Sequence, residues 1–384
     1  MQKSQEKILT THTGSLPRPD PLTELYVKRD QGEPVDGAKI ETLGRDAVRE
    51  SVENQSRAGI DIGNNGEQPR DSFFLYLRQR LTGLGGRWQR PSRADVERYP
   101  EFKKRWTQGG GTGMRSTPTA IGEVTYTDPG AIEAEIRDFR QALDDSPSAF
   151  REAFMSSPSP GIVASAIRNE YYDTLADYLA ALSRALKIEY EAIVNAGLIL
   201  QIDAPDLALE RHMTYKDEPV GKFVEFVEMV VAAINDALEN VPRDRVRLHV
   251  CWGNSESPHD CDVPLADILP SLMAAKVGGF VLPFANPRHA HEFKNFAKYP
   301  LADDQILVAG VIDTLTNFVE HPEVVADRLE RVAAIVGDPT RVLAGTDCGF
   351  DTSAGRGRVA PDVVWAKIKA MREGADIASE RLFA

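Results

Sequence analysis

Eight short apolar runs, separated by longer stretches of helical periodicity, constrain this chain more than any other feature. The runs cover residues 8–13, 60–64, 161–166, 198–203, 246–251, 279–284, 306–312 and 342–346. Between them, 172–196 places Leu175, Tyr178, Leu179, Leu182 and Leu186 on one helical face, and 220–238 does the same with Phe223, Phe226, Val227, Val230, Val231 and Ile234. Strand-like runs alternating with amphipathic helices read as repeated βα units around a parallel sheet. Eight such units predict an α/β fold, a (β/α)8 TIM barrel. A doubly wound sheet would want a Gly-x-Gly-x-x-Gly turn after its first strand, and the chain has none there.

One interval is too long for a simple crossover. Residues 71–160 hold Gly/Arg-rich stretches at 82–93 and 109–115, a strand-like run at 119–127 and an acidic helix near 129–143. The segment is therefore expected to be an insertion between strands 2 and 3, lying over the barrel mouth as a lid or a subunit contact within a single catalytic domain of residues 1–384. Self-association into a homo-oligomer is left open by that reading. The Gly-Gly-Gly at 109–111 is followed by no Lys-Ser/Thr pair and reads as a loop, not a phosphate cradle.

Active sites of such barrels gather at the carboxyl ends of the strands. Here those ends read Thr-His-Thr-Gly-Ser-Leu-Pro-Arg-Pro (11–19), Asn-Asn-Gly-Glu-Gln-Pro-Arg (64–70), Gln-Ile-Asp-Ala-Pro (201–205), His-Val-Cys (249–251) and Thr-Asp-Cys-Gly (346–349). Side chains at i and i+2 of a strand share one face, so His249 and Cys251 point together. With Cys348 from another strand end they make a one-nitrogen, two-sulfur set suited to zinc, with three protein ligands as in catalytic rather than structural sites. Buried cysteines as plain core residues are the competing reading.

Composition narrows the setting. Of the 384 residues, 42% are hydrophobic and 27% charged, values that support a sizeable core. A formal net charge of −13 argues against a nucleic-acid partner. No apolar run is long enough to span a membrane, and the amino terminus leads into no signal-like segment, so a cytoplasmic protein is expected. Three cysteines cannot all pair, which leaves thiols for metal or chemistry.

Six motifs in order, Thr-Gly-Ser-Leu-Pro-Arg-Pro, Asn-Gly-Glu-Gln-Pro-Arg, Gln-Ile-Asp-Ala-Pro, His-Val-Cys-Trp-Gly-Asn, Asn-Pro-Arg-His and Asp-Cys-Gly, resemble the catalytic half of the cobalamin-independent methionine synthases and the related epoxyalkane:coenzyme M transferases. The resemblance covers nearly the whole chain. It implies a zinc-dependent enzyme that transfers a methyl or alkyl group from a small-molecule donor to a small thiol, with homocysteine as the best-known acceptor. Epoxide opening by a zinc-bound thiol and a non-catalytic metal-binding barrel are the alternatives. His249, Cys251 and Cys348 match the zinc ligands of the family; Glu67 and Asp203 match the acidic residues that hold the homocysteine amino group, and Ser15 a residue near its carboxylate. The competing, weaker readings are a loop carboxylate paired with Arg70 for Glu67 and a cap on the following helix for Asp203. No residue is assigned as a general acid or base.

Departures from the family pattern are local. The fourth zinc ligand of methionine synthases, a Glu, falls on or near Pro283, and His259, Asp260 and Asp262 are the nearest substitutes. The catalytic His after the seventh strand aligns with Leu315, and the Trp that stacks on the folate pterin aligns with Ser165, for which Tyr171 and Tyr172 are candidate replacements. Arg18 and Arg70 are candidate contacts for an anionic substrate tail, with surface solvation as the alternative. Trp252 is expected to wall the pocket or to pack in the barrel. His12 reads as a satisfied core histidine, and His289 and His291, two apart at a helix start, have poor spacing for a shared metal.

Overall fold

Seven parallel strands pair in chain order: Ile62–Gly63, Glu152–Pro158, Ile199–Asp203, Val246–His249, Gly279–Pro283, Ile306–Ile312 and Val342–Thr346. The computed structural model describes residues 1–108, 117–146 and 150–384. The eighth position is taken by the extended segment around Thr10 and Thr11, which bridges Ala344 on one side and Ile62 on the other. Backbone bonds from Thr11 N–H to Ala344 and from Ile62 N–H to Thr10, at 2.9 and 3.0 Å, join the two edges of the sheet. A closed parallel barrel leaves no free edge.

The helices outside it follow from their apolar spacing. Leu175–Asn195 buries Tyr178, Leu182, Leu186, Tyr190 and Ile193, and Thr174 caps it by accepting from the Asp177 N–H. Val220–Ala237 buries Phe223, Phe226, Val227, Val230 and Ile234 against it. These residues and the outward faces of the strands form one large core. Inside the barrel, Leu9, Ile62, Phe154, Ile199, Val281, Val308 and Leu343 make a separate packed cluster. The interior is thus filled, as barrels of this size require.

The third strand differs from the sequence expectation. Residues 161–166 belong to the helix Pro160–Ala166, started by Ser159, whose hydroxyl accepts from the Ile162 N–H, with Pro160 in the first turn. A short apolar run does not by itself distinguish a buried strand from a buried helix, but the Ser-Pro pair is a helix start. The strand lies earlier, at Glu152–Pro158, inside the interval assigned to the insertion, which therefore ends before residue 152. Its serines hid it: Ser156 and Ser157 are buried polar groups, bonded to Glu67 and Glu189.

Between the second and third strands lie the short helix Ala94–Arg98, the helices Pro100–Gln108 and Gly130–Asp145, and a small sheet. That sheet pairs Leu84–Trp88 with Thr117–Ala120, and Thr117–Ala120 with Arg168–Asn169 beyond the third strand. The stretch at 109–115, with its Gly-Gly-Gly, lies outside the described residues.

A buried ionic network ties this segment to the barrel. Arg70 pairs with Glu135 at 2.8 Å, and Arg80 bridges Glu135 and Glu189 at 2.7 and 2.9 Å. Tyr126 and Ser157 also donate to Glu189, and Arg70 donates to the Ser156 carbonyl at 2.7 Å. Two guanidinium and two carboxylate groups balance in charge, so removing one leaves an uncompensated buried charge, which costs about 3–5 kcal/mol. Glu189→Ala is accordingly expected to lower unfolding stability by about that amount, read as a fall in the urea midpoint; a loss below about 1 kcal/mol would mean that the network contributes little.

Candidate active site

Barrel closure brings five strand ends together around one cleft. Ser15, Glu67, Asp203, His249, Cys251 and Cys348 all line it, so every residue assigned to metal or substrate from the sequence, apart from the pocket candidates Arg18, Arg70 and Trp252, meets there. His249 ends its strand; Cys251 follows two residues on, and Cys348 lies just past Val342–Thr346.

One nitrogen of His249 and the sulfurs of Cys251 and Cys348 lie within 4.8 Å of one another, all three residues buried. Asp203 accepts at 3.1 Å from His249 Nδ1, and Gln201 donates to the same carboxylate oxygen at 2.7 Å. Nε2 of His249 is buried and has no hydrogen-bond partner. A carboxylate on one ring nitrogen with the other nitrogen left bare toward sulfur is the arrangement of a metal-binding imidazole. The residues fit a metal. A hydrogen bond from the Cys348 thiol, against burial and with help from His249, holds Cys251 well below the usual thiol range; Cys348 is pushed well up by that shared proton and by burial. Burial opposes a charge on His249, but the Cys251 thiolate and Asp203 prevail and raise it to about 10.

Glu67 sits where the backbone is constrained. Its φ of 56° is left-handed, unusual for a residue with a side chain. Ser156 donates to Glu67 Oε1 at 2.6 Å, while Oε2 is buried without a partner. Gly14 makes room for it: a Cβ there would lie 2.3 Å from Glu67 Oε1. Burial and the neighbouring Asp203 raise Glu67 to about 7, against the pull of Arg70 and Arg18. Ser15 Oγ is also buried and unpaired, and a Cβ on Gly349 would fall 2.1 Å from it. Asp203 is not the helix cap, since the cap of Asp206–Leu209 is Pro205.

Two assignments are corrected by the fold, and of the two readings of Trp252 the packing one holds. Arg18 does not face the cleft; it is buried, pairs with Asp351 at 2.9 Å and donates to the Arg70 and Glu67 carbonyls. Arg70 pairs with Glu135 and donates to the Ser156 carbonyl; it does not line the cleft and makes no ion pair with Glu67. Trp252 packs behind the cleft, its indole donating to the Val263 carbonyl at 2.7 Å and its ring stacked on His289. Tyr171 is exposed and Tyr172 stacks on Tyr178, so neither lines the cleft. His259 and Asp262 are grouped with His289, apart from the cysteine triad, and do not supply its fourth ligand. His12 is a satisfied core group, bonded to Gln55 at 2.8 Å and to the Gly14 N–H, and burial lowers it to about 3.

The insertion contributes what the sequence reading missed. Phe73, Phe74, Arg90 and Arg93 line the cleft beside Ile162 and Leu209. Arg90 is paired with Glu210. Arg93 donates to Ser255 and, among the described residues, has no carboxylate within ion-pair distance. Its position in a Gly/Arg-rich loop carries no periodic signal that would have marked it.

Residues 8–376 match the family of cobalamin-independent synthase catalytic domains. Among curated proteins, methionine synthase of Saccharolobus solfataricus is 25% identical over 97% of this chain and 95% of its own length, and that of Thermococcus kodakarensis 25% over 97% and 94%. Among solved structures, a B12-independent methionine synthase from Shewanella sp. W3-18-1, in complex with selenomethionine, superposes with a TM-score of 0.75 at 21% identity, over 98% of this chain and 99% of that one. The likeness in structure bears on the fold, and there it agrees with a (β/α)8 barrel. The chain belongs to the cobalamin-independent synthase family, by its catalytic domain, and is a methyltransferase of that family.

Proposed function

We propose that this enzyme transfers a methyl group to the sulfur of homocysteine, with zinc held by His249, Cys251 and Cys348. The observation that carries the reading is that this triad shares one cleft with Ser15, Glu67 and Asp203. Bound there, zinc would lower the pKa of the acceptor thiol and keep its sulfur a nucleophilic thiolate. The relatives named methionine synthase support the choice of acceptor.

The chain's own groups suit the other end of an amino-acid thiol. Glu67, whose Oε2 is unpaired, lines the cleft with Asp203, and two carboxylates favour an ammonium. Ser15 Oγ has a hydroxyl to donate to a carboxylate. Asp203 also fixes the His249 ring, so that one residue orients both a metal ligand and the substrate. Phe73, Phe74, Ile162 and Leu209 give apolar walls that exclude water from the reacting sulfur. Arg93, without a carboxylate partner among the described residues, is placed to meet an anionic group on the methyl donor.

Metal analysis and thiol binding test this together. In the zinc-loaded protein, homocysteine at a hundred times its dissociation constant adds about 2.7 kcal/mol of stability, seen as a raised melting temperature. Cys251→Ala loses both the response and the ion of this site; equal stabilisation by homocysteine in that variant would rule the reading out. Asp203→Ala is expected to weaken zinc binding about 10–100-fold, measured by competition with a chromophoric chelator, and an unchanged affinity would remove Asp203 from its place behind His249. Homocysteine affinity should also tighten as pH rises through about 7, where Glu67 ionises. Calorimetry on Glu67→Gln should find that limb flattened, and a limb of undiminished size would assign it to another group.

A further inference from the structure

Behind Trp252, four residues from three separate segments converge away from the cleft. His212 ends the turn Glu210–His212 after the fourth strand, His259 and Asp262 lie in the loop that follows Cys251, and His289 lies in the turn beyond Gly279–Pro283. Asp262 is the centre. Its Oδ2 is 2.8 Å from His259 Nδ1 and 2.8 Å from His289 Nε2, and its Oδ1 is 2.7 Å from His212 Nδ1. All four side chains are at most 6% exposed.

Hydrogen bonding alone does not account for this cluster without a further positive charge. His259 Nε2 lies 2.8 Å from the Ser255 carbonyl oxygen, which only accepts, so the ring proton belongs on Nε2. A neutral ring then turns a bare Nδ1 toward a carboxylate oxygen, acceptor against acceptor at 2.8 Å. His212 is more telling. Despite its 2.7 Å approach to Asp262, neither of its ring nitrogens has a hydrogen-bond partner, and its side chain is wholly buried. Nitrogen and oxygen that approach closely without the alignment of a hydrogen bond are placed as two donors to a common ion. His289 Nδ1 is likewise unpaired, with Glu292 4.0 Å away, and Asp262 Oδ1 accepts no hydrogen bond.

We propose that His259, Asp262 and His289, with His212 closing the remaining side, form a second metal centre that takes a divalent transition metal such as zinc. Ligand atoms of the first three lie within 4.8 Å of one another. Imidazole nitrogen with one carboxylate is a donor set for zinc at about 2.0–2.2 Å. His212 Nδ1 stands outside that group, 2.7 Å from Asp262 Oδ1, and would complete a closed four-ligand shell, the structural and not the catalytic pattern. Neighbours hold the ligands as metal sites require: Ser255 on His259 Nε2, Trp252 stacked 3.8 Å from His289, and Asp95 accepting the His259 backbone N–H at 3.1 Å. His259 itself holds a left-handed φ of 55°. The consequence reaches the cleft, because the loop anchored by this ion begins directly after Cys251, and its Ser255 meets Arg93 from the insertion.

The experiment counts metal in the full chain after zinc loading and desalting. The parent is expected to hold two zinc ions, and Cys251→Ser/Cys348→Ser to retain one, whose X-ray absorption shows nitrogen and oxygen neighbours without sulfur. Adding His259→Ala to that variant should bring the count to zero. His212→Phe should weaken the retained site about 10–100-fold. A parent with two ions that keeps both the second ion and its affinity in His259→Ala and Asp262→Asn would overturn the proposal, as would a cysteine-free variant that folds by circular dichroism and holds no zinc. For the case of variants that do not fold, anomalous diffraction at the zinc edge on parent crystals supplies the same decision: a peak beside Asp262 supports the site and its absence refutes it. Failure of the cysteine site alone would leave this peak in place, so the two centres are tested separately.

Discussion

The site depends on one hydrogen bond, from the His249 imidazole to Asp203, because it decides which ring nitrogen is left for the sulfurs. Asp203 and His249 are register partners on adjacent parallel strands, so the sheet itself sets their separation. With Nδ1 engaged, Nε2 is the nitrogen left free for a metal beside Cys251 and Cys348. The barrel's contribution is to bring the ends of strands about a hundred residues apart in sequence to a common rim. Carboxylate, imidazole and thiolates then modify one another: the thiolate of Cys251 charges His249, and the proton shared with Cys348 keeps that thiolate.

Around this centre, polar groups are buried in two different ways. In the ionic network of Arg70, Arg80, Glu135 and Glu189, donors and acceptors are matched, and the result is attachment of the insertion to the barrel. At Ser15, Glu67 and His249, buried atoms stay unpaired. Such atoms cost about 1–3 kcal/mol each, an arrangement suited to a ligand that supplies the missing partners. The left-handed backbone at Glu67 belongs to the same description. The insertion then adds walls and charge above the strand ends, through Phe73, Phe74 and Arg93.

Much of this was legible in sequence because it rests on local order. The alternation of apolar runs and amphipathic helices gave the barrel, and residues that close strands gave His249, Cys251 and Cys348, whereas Glu67, Asp203 and Ser15 were singled out by the resemblance to the family. The third strand was displaced because Ser156 and Ser157 break its apolar pattern for the sake of buried partners, while the equally apolar 161–166 coils behind a Ser-Pro start. Arg18 and Arg70 were misplaced for a different reason: a guanidinium has no periodicity, and only the fold shows whether its partner is a substrate or the carbonyls and carboxylates of its neighbours. His212, His259, Asp262 and His289 converge from three distant segments, and His289 was set aside against His291, its neighbour in sequence, when its partners in space are Asp262 and His259.

The central claim is that one imidazole and two thiolates hold zinc ready for an incoming thiol. X-ray absorption at the zinc edge, on Asp262→Ala protein so that only the cleft contributes, measures it directly. The account predicts two sulfur neighbours and at least one nitrogen before homocysteine is added, and three sulfurs after. A sulfur count that stays at two in saturating homocysteine, or that is below two at the start, would contradict it.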